Sequence, residues 1–354
     1  MKTRLSEFLV CPQCRGPLQC LVEQEDRTLP WAEVIEGQLV CKNCDHHYPI
    51  SRGVPRLMGG PLAAAVEKTV AGFGYEWQKF DDQIADTYMT DKTNFLDFIA
   101  PVIPDFFRDK IVLDAGCGMG RFLKLAADFG SREVIGVDLS QSVDVAYQHV
   151  RHLPNAHVIQ ADIMALPLKS VFDYIFSVGV LQFLEQPRAG FNRLTELLRD
   201  GGAISVWVYA KENNGWVIRL VNPMRLHVTS RLPRPLLYAL SYCLGLPLYL
   251  LIKLLYKPAN EGKLPFNLAR ILPYNDYFYY SSRLSYGGLV SVIFDHLVPS
   301  LVTYLSKEEL AGWFPPERFA SVTITSRNNM SWRAFGVSLP VGYNEAVIDR
   351  ENRD

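Results

Sequence analysis

The chain has 354 residues, of which 49% are hydrophobic and 21% charged, and its formal net charge at pH 7 is -1. This composition is typical of a globular protein, and the chain is long enough for one large α/β domain and additions to it. The near-zero net charge argues against a broad nucleic-acid-binding surface, but it does not exclude a local one. The N-terminus lacks the basic-then-apolar pattern of a secretion signal, so a cytoplasmic, reducing location is expected.

Four of the seven cysteines form two Cys-x-x-Cys pairs near the N-terminus. Thiolates at this spacing close a tetrahedral, structural zinc site, and the alternative is a chance pairing of reduced thiols. The predicted zinc ligands are Cys11, Cys14, Cys41 and Cys44. With its Cys-Pro-x-Cys-x-Gly-Pro-Leu motif, the segment resembles the small zinc-ribbon proteins that activate tRNA methyltransferases. Because that module is fused to several kinds of methyltransferase, the resemblance implies stabilisation or recruitment and does not identify a substrate.

The central motif follows a Gly-Gly-Pro linker at 59–61 and a predicted helix over residues 63–97. The apolar run Ile111–Leu113 predicts a buried parallel strand, and the glycines after Asp114 lead into a helical pattern. A strand, a glycine turn and a helix N-terminus form the crevice in which α/β sheets bind nucleotides. The third glycine comes one residue too early for a dinucleotide fingerprint, and a P-loop is excluded because no Lys-Ser/Thr pair follows.

The next predicted strand, residues 133–137, ends in Asp138, a carboxylate placed to accept both hydroxyls of a ribose. With D-x-G-x-G-x-G before it, the chain here resembles class I S-adenosylmethionine-dependent methyltransferases, from about residue 72 to residue 209 and again near the C-terminus. The resemblance implies S-adenosylmethionine as cofactor and an aromatic arm before the first strand that folds over it. The implied cofactor-binding residues are Tyr75, Trp77, Asp114, Ala115, Gly116, Cys117, Gly118, Gly120, Asp138, Leu139, Ser140, Asp162, Ile163 and Ser177.

The remaining elements complete a seven-stranded Rossmann-like methyltransferase sheet, so the predicted fold class is α/β. Helices are predicted over 143–153 and 188–198, and strands over 157–162, 172–177, 203–209, 322–325 and 332–337, the last two as a hairpin at the sheet edge. Ser306 and Glu309 form a capping box that opens a helix. Gln182 and Phe183 stand where many relatives carry two histidines, which removes one candidate base.

Residues 213–299 are predicted to be a helical insertion after strand five. Between residues 213 and 270 there are eight basic residues and one acidic residue, Glu261. Residues 236–252 carry no charge, but this run falls short of the roughly twenty apolar residues of a membrane span, and Gly245-Leu246-Pro247 is expected to interrupt it. Three interpretations stay open: a helical lid that packs on its own core or on a twin subunit, a lid over a greasy or phosphate-bearing small molecule, and peripheral membrane docking.

The predicted division of the chain is a zinc ribbon at 1–60, the methyltransferase core at 61–212, the insertion at 213–299, the completion of the core at 300–340, and a frayed tail at 341–354. If the acceptor must lose a proton, His296 is the best candidate base, because an unperturbed imidazole titrates near neutrality. A structural histidine is the competing interpretation. Tyr304 is the weaker catalytic candidate.

These residues leave three functions open. The leading expectation is methyl transfer to an O, N or C atom of a small molecule, such as a lipid or saccharide, with nucleic acid an unlikely partner. The alternative is an RNA methyltransferase whose ribbon recruits rRNA or tRNA, although no Asn-Pro-Pro-Tyr-like motif follows strand four. A scaffold without activity is disfavoured by the intact glycines and acidic cofactor positions.

Overall fold

The computed structural model describes residues 1–60, 70, 72, 92–264, 267–299 and 301–340. A single turn of 3-10 helix, Thr3–Glu7, precedes a small antiparallel sheet in the order β1-β2-β3-β4. Its strands are β1 (Leu18–Asp26), β2 (Glu33–Cys41), β3 (His47–Ser51) and β4 (Val54–Pro55). The first Cys-x-x-Cys pair precedes β1 and the second begins at the last residue of β2, so all four thiols lie together at one end of this sheet.

The second sheet has seven strands in the order β10-β11-β9-β8-β5-β6-β7. Strands β5 to β9 are parallel, and β10 and β11 form an antiparallel hairpin at the edge. The predicted seven-stranded fold with an N-terminal ribbon and a helical insertion is therefore confirmed. The strands are β5 (Ile111–Ala115), β6 (Glu133–Asp138), β7 (Ala156–Gln160), β8 (Phe172–Val178), β9 (Leu198–Tyr209), β10 (Phe319–Arg327) and β11 (Ser331–Ser338).

Helices cover both faces of the large sheet, as the buried, β-branched central strands require. Those of the core are α1 (Lys92–Phe98), α2 (Arg121–Asp128), α3 (Val143–Val150) and α4 (Pro187–Thr195). The predicted capping box is present, since the side chains of Ser306 and Glu309 each accept from the other's backbone N–H, and it opens a short helix that ends at Ala311. The parallel strands consequently end at one common edge, where the glycine turn and Asp138 also lie.

The insertion between β9 and β10 is helical: α5 (Asn222–His227), α6 (Arg234–Leu251), α7 (Lys257–Asn260), α8 (Asn275–Ser281) and α9 (Tyr286–Leu297). A π-helical segment, Ile252–Tyr256, joins α6 to α7. The expected interruption at residues 245–247 is wrong, because α6 continues through Pro247. The carbonyl four residues earlier belongs to the exposed Cys243, so water can replace the hydrogen bond that proline cannot donate.

Together these pieces form a helix of 27 residues, Arg234–Asn260, that is long and apolar enough to cross a membrane by length and composition alone. Only 22% of its most apolar window is buried. Gly245 explains how the buried side packs, because a β-carbon there would lie 2.9 Å from Val290 of α9. The helix therefore lies against α9 along one side and leaves its other side uncovered in the described part of the chain.

The ribbon is packed onto the large sheet through backbone, apolar and ionic contacts. Leu57, just after β4, donates its N–H to the carbonyl of Gln160 at 2.8 Å, which extends the edge of β7. Leu5, Leu39 and Tyr48 of the ribbon belong to the same buried cluster as the side chains of β5 and β6. The small sheet and the large sheet thus share one core.

Buried polar groups connect the same two parts. The Tyr147 hydroxyl of α3 donates to the Glu33 carboxylate of β2 at 2.5 Å, and Lys2 lies 3.3 Å from that carboxylate. Burial and this contact with Glu33 raise the pKa of Tyr147, so the hydroxyl stays protonated at neutral pH. Since an ionised acceptor in a buried position strengthens a hydrogen bond, the Tyr147–Glu33 contact holds ribbon and core in register.

We expect Tyr147→Phe to lower the free energy of unfolding by about 1.5–3 kcal/mol, the usual worth of a hydrogen bond to a charged group. The substitution removes one buried donor to Glu33 and leaves the ring in place. Urea unfolding followed by tryptophan fluorescence measures the change. Tyr249→Phe is the matched control, because the structure gives the Tyr249 hydroxyl no hydrogen-bond partner among the described residues, and an equal loss in both variants contradicts the prediction.

Candidate active site

The turn after β5 is built around Gly116, which has a φ of +87°. A β-carbon there would lie 2.2 Å from Cγ2 of Val180, so only glycine fits this backbone without displacing the loop after β8. The N–H groups of Gly116 and Cys117 donate to the carbonyl of Val137 at 2.7 and 3.0 Å. The turn is therefore tied to the end of the neighbouring strand β6.

Asp138, the last residue of β6, organises the crevice beside this turn. Its Oδ2 accepts from the N–H of Gly118 at 2.9 Å, and its Oδ1 accepts from the N–H and the hydroxyl of Ser140 at 2.8 and 2.7 Å. These bonds fix the carboxylate and use three of its roughly four acceptor sites, and the Ser140 hydroxyl can turn to its neighbour Ser142, 2.5 Å away, to free a second one. Such a carboxylate can accept from both hydroxyl groups of a ribose.

A cavity of about 300 Å³ opens in front of the glycine turn. Asp162 lines it, and its Oδ1 accepts from the N–H of Met164 at 2.8 Å. No described residue donates to Asp162 Oδ2, which leaves this oxygen available to the exocyclic amine of an adenine. The predicted cofactor residues that line the cavity are Gly116, Cys117, Gly118, Asp138, Leu139, Ser140, Asp162 and Ile163.

Other predicted cofactor residues do not line the cavity. Ser177 is fully buried and donates its hydroxyl to the carbonyl of Ala115 at 2.8 Å, which joins β8 to β5. Gly120 has a φ of +82° and starts α2 close to Ala146. These residues shape the turn from behind. Tyr75 and Trp77, predicted to fold over the cofactor, lie outside the described residues.

Asp114 lies buried behind the turn, and its Oδ2 has no hydrogen-bond partner in the described part of the chain. Burial, together with the charge of Asp138, raises the pKa of Asp114 well above its usual range. This carboxyl group does not line the cavity and supports the turn from behind. The carboxylate oxygens of Asp138 and Asp162, which do line it, fit a cofactor with hydroxyl and amine groups, as S-adenosylmethionine has.

Aromatic side chains form the other half of the cavity. The ring of Tyr209, at the end of β9, stacks on His296 at 5.9 Å and on Tyr304 at 5.7 Å between ring centroids. Burial raises the pKa values of Tyr209 and Tyr304, so both hydroxyls stay protonated at neutral pH. Trp207 and Tyr280 also line this part, which we call the aromatic chamber: Phe98, Phe183, Trp207, Tyr209, Tyr277, Tyr280, His296 and Tyr304.

Helix α9 of the insertion places Asp295 and His296 at the aromatic chamber. Nδ1 of His296 lies 2.8 Å from the carbonyl of Val292, a contact that requires the proton on Nδ1 and leaves Nε2 as an acceptor. Burial raises the pKa of Asp295, while the charges of His296, Arg121 and Arg225 act in the opposite direction. Nε2 of a neutral His296 can therefore accept a proton, with the carboxyl group of Asp295 nearby on the same helix.

Sequence reasoning did not assign site roles to Asp295, Arg121, Tyr209 or Arg327, all of which line the cavity. Arg121 directly follows the last glycine of the turn, and its place at the start of α2 was a signal. Tyr209 carried a second signal, because it closes a strand at the edge where parallel strands bind ligands. Arg327 carried none, since its position depends on pairing of β10 with β11.

The four ribbon cysteines form one cluster, with all their sulfur atoms within 4.8 Å of one another. The sulfur of Cys14 lies 3.4 Å from those of Cys41 and Cys44, and the sulfurs of Cys11 and Cys44 are 3.7 Å apart. Four thiolates at about 2.3 Å from a tetrahedral zinc ion lie about 3.8 Å from one another. The cluster therefore has the size of a closed four-thiolate metal site.

Two family models match the chain, a methyltransferase domain over residues 112–202 and a Trm112p-like protein over residues 2–53. A tRNA U34 carboxymethyltransferase from Ruthia magnifica is 31% identical over 101 residues, 27% of this chain and 32% of that protein. The enzyme of the same name from Actinobacillus succinogenes is 27% identical over 185 residues, 51% of this chain and 50% of that protein. The chain thus spans a third to a half of these curated relatives.

Among solved structures, the complex of the Haloferax volcanii Trm112 methyltransferase activator with its methyltransferase is 22% identical, covering 41% of this chain and 62% of that chain with a TM-score of 0.35. A score this low carries no conclusion of its own.

The matches to tRNA-modifying enzymes contradict the expectation of a small-molecule acceptor and of nucleic acid as an unlikely partner. The net charge of -1 was a poor guide to nucleic-acid binding, because it averages over the whole chain. The insertion alone has an excess of seven basic residues over residues 213–270, since eight are basic and one is acidic. From residue 112 to residue 202 the chain is a class I S-adenosylmethionine-dependent methyltransferase domain, and it carries a Trm112p-like domain at residues 2–53.

Proposed function

We propose that the chain transfers a methyl group from S-adenosylmethionine to a base of an RNA, with tRNA as the first candidate. The observation that carries this proposal is the match to tRNA U34 carboxymethyltransferases, which extends over 185 residues in the relative from Actinobacillus succinogenes. The Trm112p-like domain also supports the proposal, because domains of this family are associated with methyltransferases.

The aromatic chamber supports a planar acceptor. Enzymes that modify a nucleobase take it out of the stack and hold it between aromatic side chains. Tyr209 with its stacked neighbours Tyr304 and His296 provides such faces, and Trp207 packs edge-to-face against Tyr209 with 5.4 Å between the ring centroids. Stacking on aromatic rings contributes about 1–3 kcal/mol per base. The enclosed shape therefore suits one extruded base better than an intact duplex.

The cofactor supplies an activated, positively charged methyl donor, and the chain supplies position and proton transfer. Asp138 and Asp162 hold the hydroxyl and amine groups of the nucleoside, and the turn at Gly116 lets the backbone approach it. His296, with Asp295 beside it, accepts a proton from the acceptor base where attack releases one. Burial of the chamber keeps water from competing for the methyl group.

The test uses the full chain, tritium-labelled S-adenosylmethionine, and total RNA separated into tRNA and rRNA. Label that is precipitable with tRNA and released by ribonuclease supports the proposal, and mass spectrometry of the nucleosides then identifies the base and the added group. Asp138→Ala serves as the control for transfer at this site. Transfer of label to ribonuclease-resistant material, with none in RNA, overturns the proposal.

We further infer that the ribbon cluster holds one Zn²⁺ per chain in a structural role. We expect Cys41→Ser combined with Cys44→Ser to abolish metal retention and to lower the thermal unfolding midpoint, because metal binding at such a site contributes directly to folding. Plasma emission spectrometry on dialysed protein measures the metal, and differential scanning fluorimetry measures the midpoint.

Cys243→Ser is the matched control, since this exposed thiol lies in the insertion away from the cluster. Zinc content near one per chain in the control and near zero in the double variant is the expected result. Protein that holds no metal in either form, even when purified with zinc present, contradicts the inference.

A further inference from the structure

The outer side of α6 and of the π-helical segment after it is an apolar surface. Its exposed side chains recur at helical spacing, and we call them the outer face: Leu236, Leu244, Leu246, Leu250, Leu251 and Leu254. Leu254 is 71% exposed and Leu246 is 53% exposed. Monomeric soluble proteins rarely expose a long, continuous row of large apolar side chains unless something covers it.

The opposite side of the same helix is already packed against other helices of the insertion. Leu237 and Gly245 are buried against α9, and the Tyr286 hydroxyl of α9 donates to the carbonyl of Tyr242 at 2.7 Å. Lys253 turns inward and donates to the carbonyl of Ser282 at 2.6 Å, so it adds no charge to the outer face. The helix is thus apolar on both sides, and its inner contacts keep it attached to the domain.

Basic residues lie at both ends of the outer face. Arg231 and Arg234 come just before its first leucine, and neither has an acidic partner among the described residues. At the other end, Lys257 and Lys263 lie 3.9 and 2.6 Å from Glu261, which leaves one positive charge in excess. The outer face therefore lies between two positively charged ends.

We propose that the outer face docks onto a lipid bilayer with anionic headgroups and lies in the plane of its surface. An apolar helix face between basic residues matches the interfacial region of such a membrane, where leucines enter the acyl boundary and cations meet the headgroups. Crossing the bilayer is disfavoured, because the inner side would have to leave its contacts with α9. The inference is independent of the proposed RNA acceptor.

Two other occupants fit less well. A second copy of the chain, packed face to face in either direction, brings positively charged ends together, which costs free energy. RNA offers phosphates to the arginines but no apolar surface for the leucines, and burying these requires an apolar partner. The bilayer alone complements both features.

The test is sedimentation of the full chain with vesicles of phosphatidylcholine, alone or mixed three to one with phosphatidylglycerol. We expect binding to the anionic vesicles that weakens with salt. The triple variant Leu246→Glu, Leu250→Glu, Leu254→Glu should bind more than about tenfold more weakly, because three side chains lose their apolar burial. The control is Leu21→Glu with Val22→Glu, at exposed apolar positions of β1 in the ribbon.

Unchanged circular dichroism shows that both variants fold, as expected for substitutions at exposed positions. Equal binding of the triple variant and the control, or no binding to either vesicle, overturns the proposal. A concentration-dependent dimer in light scattering that the triple variant disperses, without vesicle binding, assigns the face to a second copy. Transfer of methyl groups by the triple variant, with vesicle binding lost, separates this result from the proposed function.

Discussion

Asp138→Ala is expected to lower the affinity for S-adenosylmethionine by about 100-fold or more. Each hydrogen bond to a charged group contributes about 1.5–3 kcal/mol, and a ribose offers two hydroxyls to this carboxylate. The substitution also removes the acceptor for the N–H of Gly118 and for Ser140, which hold the glycine turn in place. Isothermal titration calorimetry with S-adenosylmethionine or S-adenosylhomocysteine measures the change.

A conservative variant and a distant control test this expectation further. Asp138→Asn keeps the shape and one acceptor oxygen, so its loss of affinity should be smaller than that of the alanine variant. Asp128→Ala removes a carboxylate at the far end of α2, where it pairs with Lys124 on the surface, and should leave the affinity unchanged. Undiminished binding by Asp138→Ala means that the cofactor does not use the crevice between β5 and β6.

The cofactor half of the cavity was predictable because its geometry is local. Gly116 and Asp138 end adjacent parallel strands, and parallel strands place their carboxyl ends at one edge of the sheet. The four ribbon cysteines were predictable for the same reason, because two Cys-x-x-Cys pairs of fixed spacing lie at one end of one small sheet. In both cases short-range spacing carries most of the three-dimensional information.

The acceptor half was only partly predictable because it is assembled from distant segments. Tyr209 closes β9, whereas His296 and Tyr304 follow about ninety residues later, and no spacing rule joins them. The insertion also contains an effect of tertiary packing that the sequence did not predict. Pro247 predicts a break in the helix, but the helix continues because Gly245 packs against Val290 and holds it in place.

The second large effect is expected at His296, which we predict to be the proton acceptor of the proposed reaction. His296→Gln should lower kcat by about 10²–10⁴-fold with little change in KM, because general base catalysis contributes on that scale and glutamine cannot take the proton. The kinetics are measured by tritium transfer to the RNA acceptor under saturating cofactor. His227→Gln, at an exposed histidine of α5 that does not line the cavity, is the control. Equal kcat in both variants contradicts the role of His296.

Asp295 should contribute to the acidic side of the pH profile. Burial raises its pKa above the usual aspartate value of about 3.9, so the carboxylate that stabilises protonated His296 forms only as the pH rises through that higher pKa. We therefore expect kcat to fall as the pH drops through this range and to be restored as it rises. Asp295→Asn should lower kcat and remove the part of this fall that Asp295 causes, whereas a purely structural role lowers kcat equally at every pH. A pH profile of unchanged shape in the variant contradicts this role of Asp295.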